Sequence, residues 1–211
     1  MPLPISFEHI KIGTHEISLA VPNPTSVKAQ YAQEKLTNTN TPFPYWTQVW
    51  PSAIALSKFL VSNLHYIENK VVLELAAGLG LPSIVASHYA LSVICTDYLP
   101  EAISIIAQSI HSNELTNMTC SVLDWQHLHN PLPQVDVLLA SDINYNPESF
   151  GTIYKALHQF LLNGTTIILS TPQRLSARPF VEMILPFCRN KIDFPIDNDF
   201  KSLITLMILK I

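Results

Sequence analysis

The sequence predicts an α/β fold: one seven-stranded, mostly parallel sheet with an antiparallel last strand, preceded by an N-terminal β-hairpin and helix. Three observations carry this. From Lys70 onward short apolar runs alternate with segments of helical periodicity, the pattern of strands joined by crossover helices. The run VDVLLAS is almost continuously apolar, as expected of a strand covered on both faces. The tail holds two strand-like runs, KIDFPI and SLITLMILKI, separated only by DNDFK, which is too short for a crossover helix, so the two pair antiparallel. With 211 residues and 48% apolar composition the chain can bury one substantial core. It reads as a single domain over 1–211, in which 1–48 form the hairpin and a lid-like extension and 49–211 the core.

Taken in order, SFEHIKIGTHEISLA alternates about Gly13-Thr14 and predicts strand, turn and strand, ended by Pro22 and Pro24. Ser26 to Leu36 suits a short helix with too few apolar positions to fix its packing face. Pro42, Pro44 and Pro51 bracket Tyr45, Trp46 and Trp50. A helix starts near Pro51, with Ile54, Leu56, Phe59, Leu60 and Leu64 at helical spacing. Then follow the strand KVVLELA, the turn AGLGLP, the helix PSIVASHY, the strand LSVICTD and the helix PEAISIIAQSIHSN. A short strand lies around MTCSVL, and after VDVLLAS come the helix GTIYKALHQFLLN, the strand TTIILST and the helix ARPFVEMILPFC.

The net charge of −4 arises from interspersed acids and bases, with no block that would track a phosphate backbone, so nucleic acid is not expected as a partner. No leader pattern and no membrane-length apolar window is visible, and Cys95, Cys120 and Cys188 are too scattered for a disulfide framework or thiolate metal site. A cytoplasmic chain, monomeric or weakly associating, without metal or membrane partner, is the expectation. His127 and His129 share a polar loop without a third ligand, His9 and His15 are assigned to the hairpin surface and His111 to a helix end.

In an open α/β sheet ligands lie beyond the carboxyl ends of the strands. Those ends carry Glu74 with the turn 76–80, then Asp97, then Asp124 with Trp125, then Ser141 with Asp142. Gly78 and Gly80 permit a tight turn, and the helix entered near Pro82 presents free N–H groups. Asp97 can accept both hydroxyls of an adenosine ribose. Glu74 is a poor neighbour for a diphosphate and a reasonable anchor for loop amides or an ammonium, so a cationic sulfonium cofactor with an amino-acid tail suits the set better than a dinucleotide. Trp125 can cover an adenine while Asp124 or backbone meets its amine, although a core-edge role for Trp125 stays open.

The blocks 49-VWPSA-53, 73-LELAAGLGLPSI-84, 95-CTDYLPEAI-103, 123-LDW-125 and 140-ASDINY-145, in this order and spacing, resemble class I methyltransferases. Within them they resemble the protein-lysine branch, methyltransferase family 16, filed with nicotinamide N-methyltransferase-like proteins. The resemblance implies a Rossmann-like fold and S-adenosyl-L-methionine as cofactor. It implies that Trp50, Ala76, Ala77 and Gly78 meet the methionine and ribose side, that Asp97 with its neighbour Tyr98 serves the ribose end, that Trp125 packs by the adenine and that Ser141 lines the pocket. It also implies that 142-DINY-145 is the Asp-x-x-Tyr signature, with Asp142 and Tyr145 catalytic. Ala76 departs from the glycine usual in relatives. Alanine is expected to need negative φ there and to alter the loop path modestly.

For a lysine acceptor, Asp142 would aim the nitrogen and Tyr145 would shape the channel; Phe43, Tyr45 and Trp46 would form a lid or acceptor rim, or merely anchor their segment. The implied activity is transfer of a methyl group to a protein lysine. A small-molecule amine or heteroaromatic N-methyltransferase, and a non-catalytic adenosyl-ligand binding protein, stay open beside it.

Overall fold

The computed structural model describes residues 3–128, 132–195 and 203–211. Strands β1 (Ile5–Ile12) and β2 (His15–Pro22) form an antiparallel hairpin, and α1 (Pro24–Thr37) follows directly. Asn23 caps α1, its Oδ1 accepting from Ser26 N–H at 3.0 Å, and Pro24 occupies the first turn, where a missing N–H costs nothing. The core runs α2 (Pro51–Ser62), β3 (Val71–Leu75), α3 (Leu81–Ser87), β4 (Ser92–Asp97), α4 (Pro100–Ser112), β5 (Met118–Val122), β6 (Val137–Ser141), α5 (Phe150–Leu162), β7 (Thr166–Pro172), α6 (Arg178–Ile184), β8 (Cys188–Pro195) and β9 (Leu203–Leu209). Prolines also open α2 and α4.

The seven strands of the main sheet lie in the order β5-β4-β3-β6-β7-β9-β8. The first five are mutually parallel, while β9 runs antiparallel to both β7 and β8. The reversed strand is therefore inserted between its neighbours and does not form an edge. The linking segment DNDFK lies outside the described residues. The helix expected through Cys188 stops at Ile184. Pro186 has no N–H to continue it, and a single 3-10 turn leads into β8.

Side chains alternate across the sheet. Val72, Val137, Leu139 and Ile168 pack with α2, α3 and α4 on one face; Leu73, Leu75, Leu138, Ala140, Ile167 and Leu169 pack with α5 and α6 on the other. The hairpin closes the first layer. Ile17 and Leu19 are fully buried, and the outer edge of β2 is satisfied by α4: Ser18 N–H donates to Asn113 Oδ1 at 2.9 Å and Ala20 N–H to Ser109 Oγ at 2.9 Å. His15 is not on the hairpin surface as expected. Its ring stacks on His88 with centroids 4.1 Å apart, and Nε2 lies 2.6 Å from the Tyr89 hydroxyl, a contact that only the docking of the hairpin on the end of α3 creates. No helix among the described residues is long and apolar enough to cross a membrane.

Candidate active site

Strands β3 and β6 are neighbours, but the chain leaves β3 toward β4 on one side and β6 toward β7 on the other. At such a switch point the loops diverge and leave a crevice. Two of the non-glycine residues with positive φ stand at its lips: Ala76 (φ 51°) directly after β3 and Asp142 (φ 53°) directly after β6. Local strain of this kind persists where surrounding bonds over-determine the backbone. The expectation that Ala76 takes negative φ is thus overturned. Ala77 N–H donates to Thr96 O at 2.9 Å, Gly78 N–H to Asp97 Oδ2 at 2.9 Å and Gly80 N–H to Ala77 O at 2.9 Å, so the loop keeps a left-handed path with alanine in it.

Gly78 and Gly80 have φ of 59° and 75°. At Gly78 a Cβ would stand 3.4 Å from Trp46 O, so the N-terminal extension rests directly on the loop. Asp97 ends β4 and is 3% exposed. One carboxylate oxygen accepts from Gly78 and the other from Leu99 N–H at 3.1 Å, which leaves a lone pair on each for a ligand. Burial raises its pKa from the ordinary value, with the backbone N–H groups opposing.

Glu74 points to the α3 face of the sheet, fully buried, where Oε2 accepts from Ser83 N–H at 2.9 Å and Ser83 Oγ–H at 2.5 Å while Oε1 has no protein partner. Burial pushes its pKa up to about 8. It stands beneath the loop and off the wall of the cleft. Asp124 is also off the wall. Its carboxylate accepts from Gln126 N–H at 2.8 Å and meets His127 Nδ1 at 3.0 Å, fixing the turn that carries Trp125. Trp125 both lines the cleft and packs on the core layer of α5. His129 lies outside the described residues.

Asp142 N–H donates to Ser170 O at 2.8 Å, tying its loop to β7. Its carboxylate receives two parallel bonds from Arg174, Nη1 to Oδ1 and Nη2 to Oδ2, both 2.9 Å. Burial raises the Asp142 pKa and the guanidinium opposes that rise. Tyr145 is half exposed, and partial burial pushes its phenol pKa up from the ordinary value. Its ring lies 5.2 Å from that of Tyr45, which also contacts Phe43 at 5.0 Å and Trp50 at 5.9 Å. Trp50 Nε1–H donates to Tyr45 O at 2.7 Å, closing this aromatic rim.

Together these groups enclose a cleft of about 1120 Å³. Every residue singled out at the sheet edge lines it except Glu74 and Asp124, and Phe43, Tyr45 and Trp46 line it too. Glu34, Asp97, Glu101 and Asp142 make the wall acidic, and Arg174 is the one cation among its described lining residues. Arg174 was not foreseen. It lies two residues beyond β7, and the rule that drew attention to the other strand ends would have found it had it been carried one strand further. An adenosyl sulfonium fits the set. Asp97 has the lone pairs for ribose hydroxyls, the walls are acidic and aromatic, and the volume exceeds one small ligand, leaving space for an acceptor. Among the described residues no group of three or more His, Cys, Asp or Glu is placed to hold a metal.

The sequence signature described as lysine methyltransferase matches residues 38–185. The human histone-arginine methyltransferase METTL23 is 34% identical over 146 residues, 65% of this chain and 75% of that protein; the chain spans about half the length of the mouse, rat and Xenopus laevis counterparts. The Danio rerio protein N-lysine methyltransferase METTL21A is 31% identical over 128 residues, covering 58% of each. In three dimensions the N-methyltransferase NodS of Bradyrhizobium japonicum, solved with S-adenosyl-L-homocysteine, superposes with a TM-score of 0.63 over 84% of this chain and 97% of its own at 11% identity, which shows the shared Rossmann-like fold. With its cleft, its sheet order and these matches, the chain belongs to the lysine methyltransferase family of S-adenosylmethionine-dependent enzymes.

Proposed function

We propose that the chain methylates a lysine side-chain nitrogen of a protein. The observation that carries this reading is the Asp142–Arg174 pair beneath the half-exposed rings of Tyr45 and Tyr145, next to the cleft floor formed by residues 76–80 and Asp97. A lysine amine attacks only when neutral, against an ordinary pKa of roughly 10.4. An isolated carboxylate would hold it as ammonium. A carboxylate already matched by guanidinium exerts little net field, yet its outer lone pairs still accept an N–H and aim the nitrogen.

When bound, S-adenosylmethionine supplies a methyl group on positively charged sulfur. In this reading Asp97 holds the ribose, the Ala76–Gly78 loop and Trp50 bound the amino-acid end, Tyr98 and Trp125 flank the adenosine, and Ser141 lines the wall between donor and acceptor. With the donor bound, the acceptor lone pair would take the methyl group in line as its bond to sulfur breaks, the electron pair staying on sulfur, and the proton lost by the new ammonium would pass to Asp142 or to water at the rim. The aromatic wall excludes competing water. Exposed rings around an acidic mouth suit a basic polypeptide segment better than a sealed metabolite. The reading extends to a monomeric or weakly associating cytoplasmic enzyme organised as one domain without nucleic-acid partners, in keeping with a net charge of −4 and no basic block.

Incubating the purified chain with methyl-labelled cofactor and lysate from cells lacking its gene, then locating the label by mass, tests this. Methyl-lysine in a protein supports the reading. Methyl-arginine would transfer the assignment to the second reading, which the similarity to a histone-arginine methyltransferase favours. Label confined to small molecules would refute both.

A further inference from the structure

Arg174 is held by the loop after β7 and reaches the acid at the end of β6 with a bidentate fork; its side chain is 35% exposed and that of Asp142 9%. The two partners come from adjacent strands whose registers place Ser141 beside Ser170, so the pair spans one strand spacing at the lip of the crevice. Among the described residues the other titratable groups around this lip are Tyr145 on the same loop, Asp97 and Tyr98 at the end of β4, and Tyr45 in the N-terminal extension; none of these carries positive charge. Among the described residues Arg174 is therefore the one group there that can both fix the rotamer of Asp142 and cancel its charge. A planar fork does this where an ammonium cannot, because two parallel bonds fix orientation as well as distance.

We infer that Arg174 is a positioning residue for methyl transfer: it keeps Asp142 ionised and aimed into the cleft while neutralising it, so that the acceptor nitrogen arrives unprotonated. This rests on the lysine reading of the same site. With Arg174 removed, a buried Asp142 is left with two unfavourable choices. It takes up a proton and ceases to accept the amine N–H, or it stays ionised and holds the acceptor as ammonium. Both move productive transfer to higher pH.

Two measurements decide it. In the first, Arg174→Gln and Arg174→Lys are compared with wild type, using the protein labelled in the lysate experiment as acceptor. For Arg174→Gln, cofactor affinity by calorimetry is expected to stay within about twofold, kcat at pH 7 to fall about tenfold or more, and the acidic limb of the pH–rate profile to move up by about one unit. Arg174→Lys is expected to restore the position of the limb in part and the rate less, since charge returns without the fork. In the second, which needs no acceptor, the carbon-13 carboxyl resonance of Asp142, assigned with Asp142→Asn, is followed by NMR as pH is varied; it is expected to titrate at higher pH in Arg174→Gln than in wild type. An unmoved titration together with an unmoved pH profile would overturn the inference, as would activity lost only in proportion to cofactor affinity or melting temperature. Should wild type label no lysine, the lysine reading falls, while the NMR titration still tests the hold of Arg174 on Asp142.

Discussion

At Ala76 a methyl group sits in left-handed backbone, a conformation costing an L-residue roughly 1–2 kcal/mol. Ala76→Gly relieves that cost at the expense of some unfolded-state entropy, so a net gain of about 1 kcal/mol and a melting temperature higher by roughly 2–4 °C are expected in thermal denaturation. Glu74 gives a pH signature. Its pKa rises from 4.5 to about 8 on folding because burial penalises the ionised form. Between those values the unfolded chain has released a proton that the native chain retains, so this group makes stability fall as pH increases from about 4.5 to 8 and is flat above. Glu74→Gln is expected to remove that slope, melting higher than wild type at pH 8.5 but with no advantage at pH 4.5; parallel curves for the two proteins would contradict the assignment. Asp142→Asn should cut methyl transfer far more than cofactor binding, because the amide can neither take the Arg174 fork in the same way nor present two acceptors to an amine. Labelled transfer measured beside calorimetric binding separates the two effects.

The element most dependent on side-chain locks is the hairpin. Asn113 serves Ser18 twice, accepting its N–H and donating to its carbonyl at 2.7 Å, so Asn113→Ala strips both and is expected to lower stability by about 1–3 kcal/mol, readable in denaturant unfolding. Burial and the adjacent His15 hold His88 below its ordinary pKa of 6.5. As pH drops below that value, the unfolded chain gains a proton the stacked ring resists, and this part of the stability is lost. Hydrogen exchange of the Ser18 amide, corrected for intrinsic rate, should show weaker protection at pH 5.5 than at 7.5, and His88→Gln should flatten the difference. Elements of this kind were largely legible. Period-two and helical patterns located the strands and helices, and prolines marked where α2 and α4 begin, because those signals are local. The fate of His15 was not, since a ring stacked across 73 residues of sequence leaves no trace in the residues beside it.

For the whole molecule, cofactor binding and folding are linked. At a hundredfold excess over Kd a ligand specific for the native state adds about 2.7 kcal/mol, equivalent to a rise in melting temperature of roughly 5–10 °C for a chain of this size. Asp97→Ala should suppress most of that rise in a thermal-shift titration, measured from a ligand-free melting temperature itself lowered by loss of the bonds to Gly78 and Leu99 N–H. The cleft was readable as strand ends because topology converts sequence order into a shared edge. Arg174 stands at the same edge, two residues beyond β7, but no local pattern marks its pairing with Asp142, 32 residues away. The placement of β9 has a consequence for biosynthesis. It is the last described strand in the chain, yet it fills the slot between β7 and β8. Until Leu203–Leu209 emerge from the ribosome, β7 keeps an unpaired flank, and the loop bearing Arg174 hangs from a half-supported strand. The nascent chain can thus pair β3, β4, β5 and β6 early, while the side of the cleft that carries Arg174 gains its full support only once Leu203–Leu209 have been made.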